Sequence, residues 1–250
     1  MCVHIAIPEP TSLDPDYNQR SIGAYISSIK SAGATPILLP LHERQDRVAR
    51  VLASVQGVLL PGCKYDIDPE RYGEERKPDC GPTDPARAAV DELLLQDAFN
   101  LRKPILGICA GLQMLNVWLN GTLIQHIESP VNHRPGAQVL EAHQVNLVAG
   151  TRLAGLLPLK EISGQRLMVN SSHHQAIKQT GDNLRVAAHS TEDGIIEAVE
   201  LNSTEHFVLG VQWHPERTYA HSASSRAIFA AFVQAASCWE PRSIEESVSA

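Results

Sequence analysis

An α/β protein is the fold class this chain predicts: a mostly parallel sheet covered by helices on both faces, extended by antiparallel strands. Three observations carry that prediction. In the first half, short apolar runs alternate with segments of helical spacing. Those runs are near-continuous in apolar residues, as strands buried on both faces require. In the second half, HQVNLV, RLMVN, LRVAAHS, IIEAVEL and FVLGVQW follow one another with few helices between them.

The elements read in order as follows. VHIAI (3–7) is a strand. RSIGAYISSIKSAG (20–33) places Ile22, Tyr25, Ile26 and Ile29 at helical spacing, with Gly33 as its stop. TPILLP (35–40) is the second strand, ERQDRVARVLASV an amphipathic helix, and GVLLPG (57–62) the third strand. From Cys63 to Pro82 the chain is polar and rich in Pro and Gly, a loop long enough to suggest function. DPARAAVDELLLQDAFNLR (84–102) is a helix with Asp84 as N-cap and Pro85 in its first turn. PILGI is then a strand, AGLQMLNVWLN a helix, and SSRAIFAAFVQAA (224–236) closes the chain. No repeat or linker interrupts it. Residues 1–240 read as a single domain and 241–250 as a polar tail expected to be disordered.

Composition narrows the function. Of 250 residues, 43% are hydrophobic and 20% charged, with a formal net charge of -7. An acidic chain with scattered basic residues argues against nucleic acid. No run approaches the ~18 apolar residues that span a bilayer, and the N-terminus lacks the pattern of a signal peptide. Five cysteines, an odd number without a CxxC pair, make a disulfide framework or zinc knuckle a poor expectation. A reducing cytoplasm is the expected setting.

In ILGICAGLQ (105–113), Cys109 ends a buried strand and a helix begins at once. Gly107 and Gly111 permit a sharp turn and close packing, the logic of a nucleophile elbow in the form Gly-x-Cys-x-Gly. A helix N-terminus and a nearby imidazolium both favour the thiolate. Cys109 is therefore expected to be the most thiolate-rich of the five thiols. The alternative, a small buried apolar residue, is the commoner fate of a free Cys. Gln113, one turn on, is placed to bond a polar substrate. GVQWHPE offers the base: His214, with Glu216 two residues later, expected on the same side of an extended chain that Pro215 holds straight. For an oxyanion, the Ala110 amide is the natural first donor, and the turn Pro61-Gly62-Cys63 ends a neighbouring strand.

Taken together, GICAGLQ, GVQWHPE and the earlier LLPG resemble the class I glutamine amidotransferase superfamily. YGEERKP, NVWLNGTLIQHI, VNSSHHQAIK and STEDGIIEAVE resemble its γ-glutamyl-γ-aminobutyrate hydrolase group, peptidase C26, over about residues 3–236. The resemblance implies a three-layer, flavodoxin-like fold with an antiparallel extension. It implies a Cys109–His214–Glu216 triad, an oxyanion hole from the amides of Cys63 and Ala110, and substrate contacts at Gln113, His173, His174 and Gln175. Three positions depart from the group's pattern: Ala110 where Arg is common, Cys63 in place of a second glycine, and Ala88 in place of an aspartate. A metal at the adjacent His173 and His174 is rejected because no carboxylate or Cys sits at ligand spacing, and no cofactor is expected.

The function expected is therefore hydrolysis of the γ-glutamyl amide of a small molecule through a thioester, without nucleic acid or membrane, with a homodimer left open. Two other readings stand beside it. One is a glutaminase subunit that supplies ammonia to a separate synthase. The other is a non-catalytic γ-glutamyl-binding protein.

Overall fold

The computed structural model describes residues 2–241; most of the expected tail, 242–250, lies outside the described residues. Among the described residues eleven strands form one sheet. In chain order they are β1 His4–Pro8, β2 Thr35–Leu39, β3 Gly57–Leu60, β4 Ile105–Ile108, β5 Thr122–Ile124, β6 His143–Leu147, β7 Arg166–Val169, β8 Ala176–Gln179, β9 Leu184–Ser190, β10 Ile196–Leu201 and β11 Val208–Val211. The helices are α1 Pro15–Ser31, α2 Gln45–Ser54, α3 Pro85–Leu101, α4 Ala110–Trp118, α5 Arg152–Leu156, α6 Pro215–Thr218 and α7 Ala223–Ser237.

The strand order is β2-β1-β3-β4-β11-β10-β9-β6-β7, with β8 pairing β10 and β5 off this path. From β2 to β11 every pairing is parallel, and from β11 outward every pairing is antiparallel. This is the predicted parallel sheet with an antiparallel extension. No helix among the described residues is long and apolar enough to cross a membrane.

The near-continuous apolar strands are explained by two cores. Ile5, Ile7 and Leu59 pack on one face with Tyr25 and Ile29 of α1 and Phe229 and Phe232 of α7. Ala6, Val58 and Leu60, one residue out of step, pack on the other with Val48 of α2, Leu94 and Leu95 of α3 and Met114 of α4. Side chains that alternate across a strand thus feed both layers.

Several boundaries move. The first helix begins at Pro15, with the Asp14 side chain accepting from the Tyr17 amide, five residues before the predicted start. Its end agrees: Gly33 takes φ +96°, a conformation glycine enters without penalty. Strands β5 and β8 and helices α5 and α6 are short elements that the periodicity does not resolve.

The glycines flanking Cys109 are steric necessities. A Cβ on Gly111 would lie 2.1 Å from the carbonyl oxygen of Leu60, and one on Gly107 would lie 2.9 Å from the backbone of Gly111. In both cases the obstacle is backbone, which no rotamer change relieves. Gly111→Ala should therefore cost about 3 kcal/mol or more, above the usual range for an overpacked core. A denaturant midpoint equal to that of the parent would contradict the close approach of α4 to β3.

Candidate active site

Three neighbouring parallel strands, β3, β4 and β11, end side by side. Ligands collect at such carboxyl ends in open α/β sheets. Each strand delivers one part of the site: the Gly62-Cys63 turn after β3, Cys109 after β4, and His214 after β11.

Cys109 adopts φ 54° and ψ -109°, a rare backbone conformation for a residue with a Cβ. Its amide donates to the Val211 carbonyl at 2.8 Å, which ties the elbow to the next strand. The residue is buried, at the N-terminus of α4.

His214 is held by its backbone and by its ring. Asn170 clamps the backbone: the His214 amide donates to Asn170 Oδ1, and Asn170 Nδ2 donates to the His214 carbonyl, both at 2.8 Å. The ring Nδ1 meets Glu216 Oε1 at 2.7 Å. Cys109 and the ring border the same space: a Cβ on Gly62 would lie 3.5 Å from Cys109 Cβ and 3.0 Å from His214 Cε1. Burial disfavours the charged imidazole, but the Glu216 carboxylate and the Cys109 sulfur outweigh it and raise His214 to about 9.

The expected basis of the His214–Glu216 pairing needs correction. Pro215 does not hold an extended chain; it opens the short helix α6, and Glu216 reaches the ring from that helix's first turn. The pairing survives because the backbone bends at His214.

Tyr25 leaves one amide of the Gly62-Cys63 turn available and occupies the other. Its hydroxyl accepts from the Gly62 amide at 3.0 Å. The next amide, that of Cys63, has no acceptor among the described residues. The Ala110 amide, first in α4, has no acceptor within its own helix. Gly62 has no room for a side chain, since a Cβ there would sit 3.0 Å from both His214 Cε1 and Tyr25 Oη. From behind, Arg87 donates to the carbonyls of Pro61 and Pro10, at 2.7 and 2.8 Å. Its charge is balanced by Asp91 at 2.8 Å, one turn along α3, so no carboxylate is needed at Ala88.

The Cys63 side chain is a poor rival nucleophile, because burial pushes its thiol up to about 11. Burial, with the Asp66 charge, also raises Cys80.

Cys109, Cys63, Ala110, Gln113 and His214 line a cavity of about 230 Å³, with Lys64, Arg134 and Arg217 on its wall. The other predicted contacts divide. Gln113 Nε2 donates inside the protein, to the Gln175 carbonyl at 3.0 Å and Gln212 Oε1 at 3.1 Å, which leaves only its oxygen for a ligand. His174 stays on the wall, with Nε2 on Asp66 Oδ1 at 2.9 Å. Gln175 also borders the cavity, with its Nε2 donating to the Gln125 carbonyl at 3.2 Å.

His173 borders the cavity too, but both of its ring nitrogens face groups inside the protein. Its Nδ1 bonds the Gln175 carbonyl at 2.9 Å and its Nε2 lies 3.5 Å from Glu197 Oε1. The ground for rejecting a metal beside His173 therefore fails: strand β10 brings a carboxylate that sequence spacing does not reveal.

Asn170, Tyr25 and Arg87, which hold His214 and the Gly62-Cys63 turn, and Glu197, which meets His173, are contacts that sequence reasoning misses. Asn170 lies within VNSSHHQAIK, but nothing in its spacing points to the backbone of His214.

The pH dependence follows from His214. Its folded value, about 9, stands above the ~6.5 of an unfolded histidine. The stabilisation it brings is full below ~6.5 and is lost as pH rises through about 9. Any activity that needs the imidazolium should share that alkaline limb. A ring-proton NMR titration checks it, and an inflection at or below the ~6.5 of a free histidine would contradict the Glu216–His214–Cys109 arrangement. In Cys109→Ala the inflection should move down, since one of the two groups raising it is gone.

A thiol on a strand–helix elbow, a histidine–carboxylate pair beside it and two free amides define a class I glutamine amidotransferase-like protein. The family model for Peptidase C26 matches residues 8–216. The chain belongs to the peptidase C26 family, whose members include γ-glutamyl hydrolases and glutamine amidotransferase-like proteins. It is 40% identical over 222 residues to Rv2859c of Mycobacterium tuberculosis, which carries a provisional glutamine amidotransferase name; the match covers 87% of this chain and 68% of that protein. It is 36% identical over 222 residues to the γ-glutamyl-γ-aminobutyrate hydrolase PuuD of Escherichia coli K12, covering 84% of each. A Thermoplasma acidophilum structure with a provisional GMP synthase name superposes with a TM-score of 0.65 over 95% of both chains at 17% identity, a likeness of fold.

Proposed function

We propose that this chain is a cysteine-dependent hydrolase of small γ-glutamyl amides, with Cys109, His214 and Glu216 as its triad. The observation that carries the reading is the His214 ring, bonded to Glu216 at 2.7 Å, at a cavity that Cys109, Cys63 and Ala110 also line.

The Cys109 thiolate attacks the γ-carbonyl carbon. The carbonyl π electrons move to oxygen, and the amides of Cys63 and Ala110 stabilise that oxyanion, each worth roughly 3 kcal/mol. Collapse expels the amine, which takes its proton from the His214 imidazolium, and leaves a thioester on Cys109. Water then attacks the thioester while neutral His214 takes its proton. A second collapse releases glutamate and restores the thiolate–imidazolium pair. Glu216 holds the ring and balances its charge throughout. The cations on the cavity wall suit a carboxylate of the γ-glutamyl group, and the free oxygen of Gln113 suits its ammonium.

The test is a screen of γ-glutamyl amines, peptides and folates with glutamate and released amine both quantified. Equimolar release from one class supports the reading and names the substrate. No release across the set would sink it, and glutamine hydrolysis that appears only with an added synthase would favour ammonia supply.

A further inference from the structure

On the far side of His173 from the cavity, three histidines converge on one buried carboxylate. His133, His143, His173 and Glu197 are each at most 5% exposed. They come from four separate places: the segment after β5, the start of β6, the turn before β8, and β10. Around Glu197 Oε1 stand His143 Nε2 at 3.1 Å, His133 Nδ1 at 3.2 Å and His173 Nε2 at 3.5 Å. The ligand atoms of His133, His143 and Glu197 all lie within 4.8 Å of one another.

The outer hydrogen bonds fix where the ring protons sit. His133 Nε2 faces Asp193 Oδ2 at 2.8 Å, so in the neutral ring the proton sits there and Nδ1 presents a lone pair. His173 Nδ1 donates to the Gln175 carbonyl at 2.9 Å, so its Nε2 presents a lone pair. Both lone pairs are aimed at a carboxylate that is also rich in electrons. His133 Nδ1, His173 Nε2 and Glu197 Oε2 have no hydrogen-bond partner. Buried polar atoms left in this state are costly, and positive charge beside Glu197, carried by a metal ion or by a second proton on a ring, would satisfy those around it.

We propose that His133, His143 and Glu197 hold one divalent metal ion beside His173, and that zinc is the best match. Imidazole and carboxylate are ordinary zinc ligands, and metal–ligand bonds of about 2.0–2.2 Å place tetrahedral ligand atoms ~3.3–3.5 Å apart. The separations to Glu197 bracket that edge. Asp193 behind His133 is the outer partner that a metal-bound histidine customarily has. Three protein ligands hold the ion in the interior beside His173, whose Nε2 lies 3.5 Å from Glu197 Oε1, and the reaction at Cys109 needs no metal, so the ion's role is structural. It would lock the turn whose Gln175 carbonyl receives Gln113 of helix α4, and so hold one wall of the cavity.

The experiment uses the full chain, purified without chelator and assayed for metal by mass spectrometry, then stripped and titrated with zinc and with cobalt. The expected result is one equivalent per chain, restored by zinc, with a higher melting temperature than the stripped protein. Cobalt should give the visible bands of a tetrahedral nitrogen–oxygen site without thiolate charge transfer. Glu197→Gln and His143→Ala should lose the ion; Cys109→Ala should keep it, which separates this site from the active-site thiol. Asp193→Asn should bind zinc about 10- to 100-fold more weakly. Circular dichroism establishes that each variant is folded, and the titration of the stripped parent decides the question if one is not. No metal on the purified chain together with no zinc uptake by the stripped parent overturns the proposal. So does a cobalt thiolate band, or undiminished binding by folded Glu197→Gln.

Discussion

Cys109→Ala protein is expected to lose γ-glutamyl hydrolysis by on the order of 10⁴- to 10⁶-fold while keeping its fold. The size reflects the loss of a nucleophile, which in cooperating triads costs about as much as losing the whole set. The fold should survive because the side chain is small and the strain at φ 54° lies in the backbone, which alanine can adopt at similar cost. The rival thiols offer no substitute: Cys63 is held at about 11 by burial, and Cys80 is raised as well. An electrophilic glutamine mimic should label Cys109 alone at low stoichiometry, and glutamate analogues should protect it. Peptide mapping decides the matter. Label found mainly on Cys63 or Cys80, or variant turnover above a trace, would remove Cys109 from the mechanism.

His214→Ala should be nearly as damaging to turnover and, unlike the first variant, should also destabilise the protein. It removes the proton donor to the leaving amine and the base for the thioester. It also leaves the buried Glu216 carboxylate without its 2.7 Å partner. Breaking a buried pair on one side costs about 3–5 kcal/mol. Arg217, 3.6 Å from the same oxygen, offsets part of this. Glu216→Gln should be milder in both respects, because it keeps a group that can orient the ring and leaves no unpaired charge. Calorimetry beside steady-state kinetics separates the two effects. A His214→Ala protein as stable as the parent would mean that the ring does little to compensate Glu216.

Much of the site is legible in the sequence because its chemistry is local there. Cys109 with its two glycines, and His214 with Glu216, each fall within a few residues, and each strand end announces itself by an apolar run stopping at a turn. The parts that are not legible act across long separations. Nothing near Asn170 points to residue 214, nothing near Glu197 to residues 133, 143 and 173, and no periodicity shows that the Tyr25 hydroxyl will take the Gly62 amide. His173 is legible only in part for the same reason: it borders the cavity as its sequence neighbours do, but its contact with Glu197 of β10 spans more than twenty residues. The start of the first helix is a different case. Asp14-Pro15 is the same cap signal as Asp84-Pro85, but the apolar spacing becomes regular only further on.

The central place of β11 has a consequence for how the molecule is made. The strand enters the sheet between β4 and β10, although nearly a hundred residues separate it from β4 in the chain. Until it docks, β4 offers an open apolar edge, and His214 has not yet reached the thiol. On the ribosome, the elbow is therefore translated well before anything can activate it, and a nascent chain stalled short of Val208 carries a sticky edge and a silent cysteine. Such an edge invites pairing with other chains. Fragments ending there should be recovered as aggregates without partial activity, and a separately supplied C-terminal segment containing β11 and α7 is the piece that would rescue them.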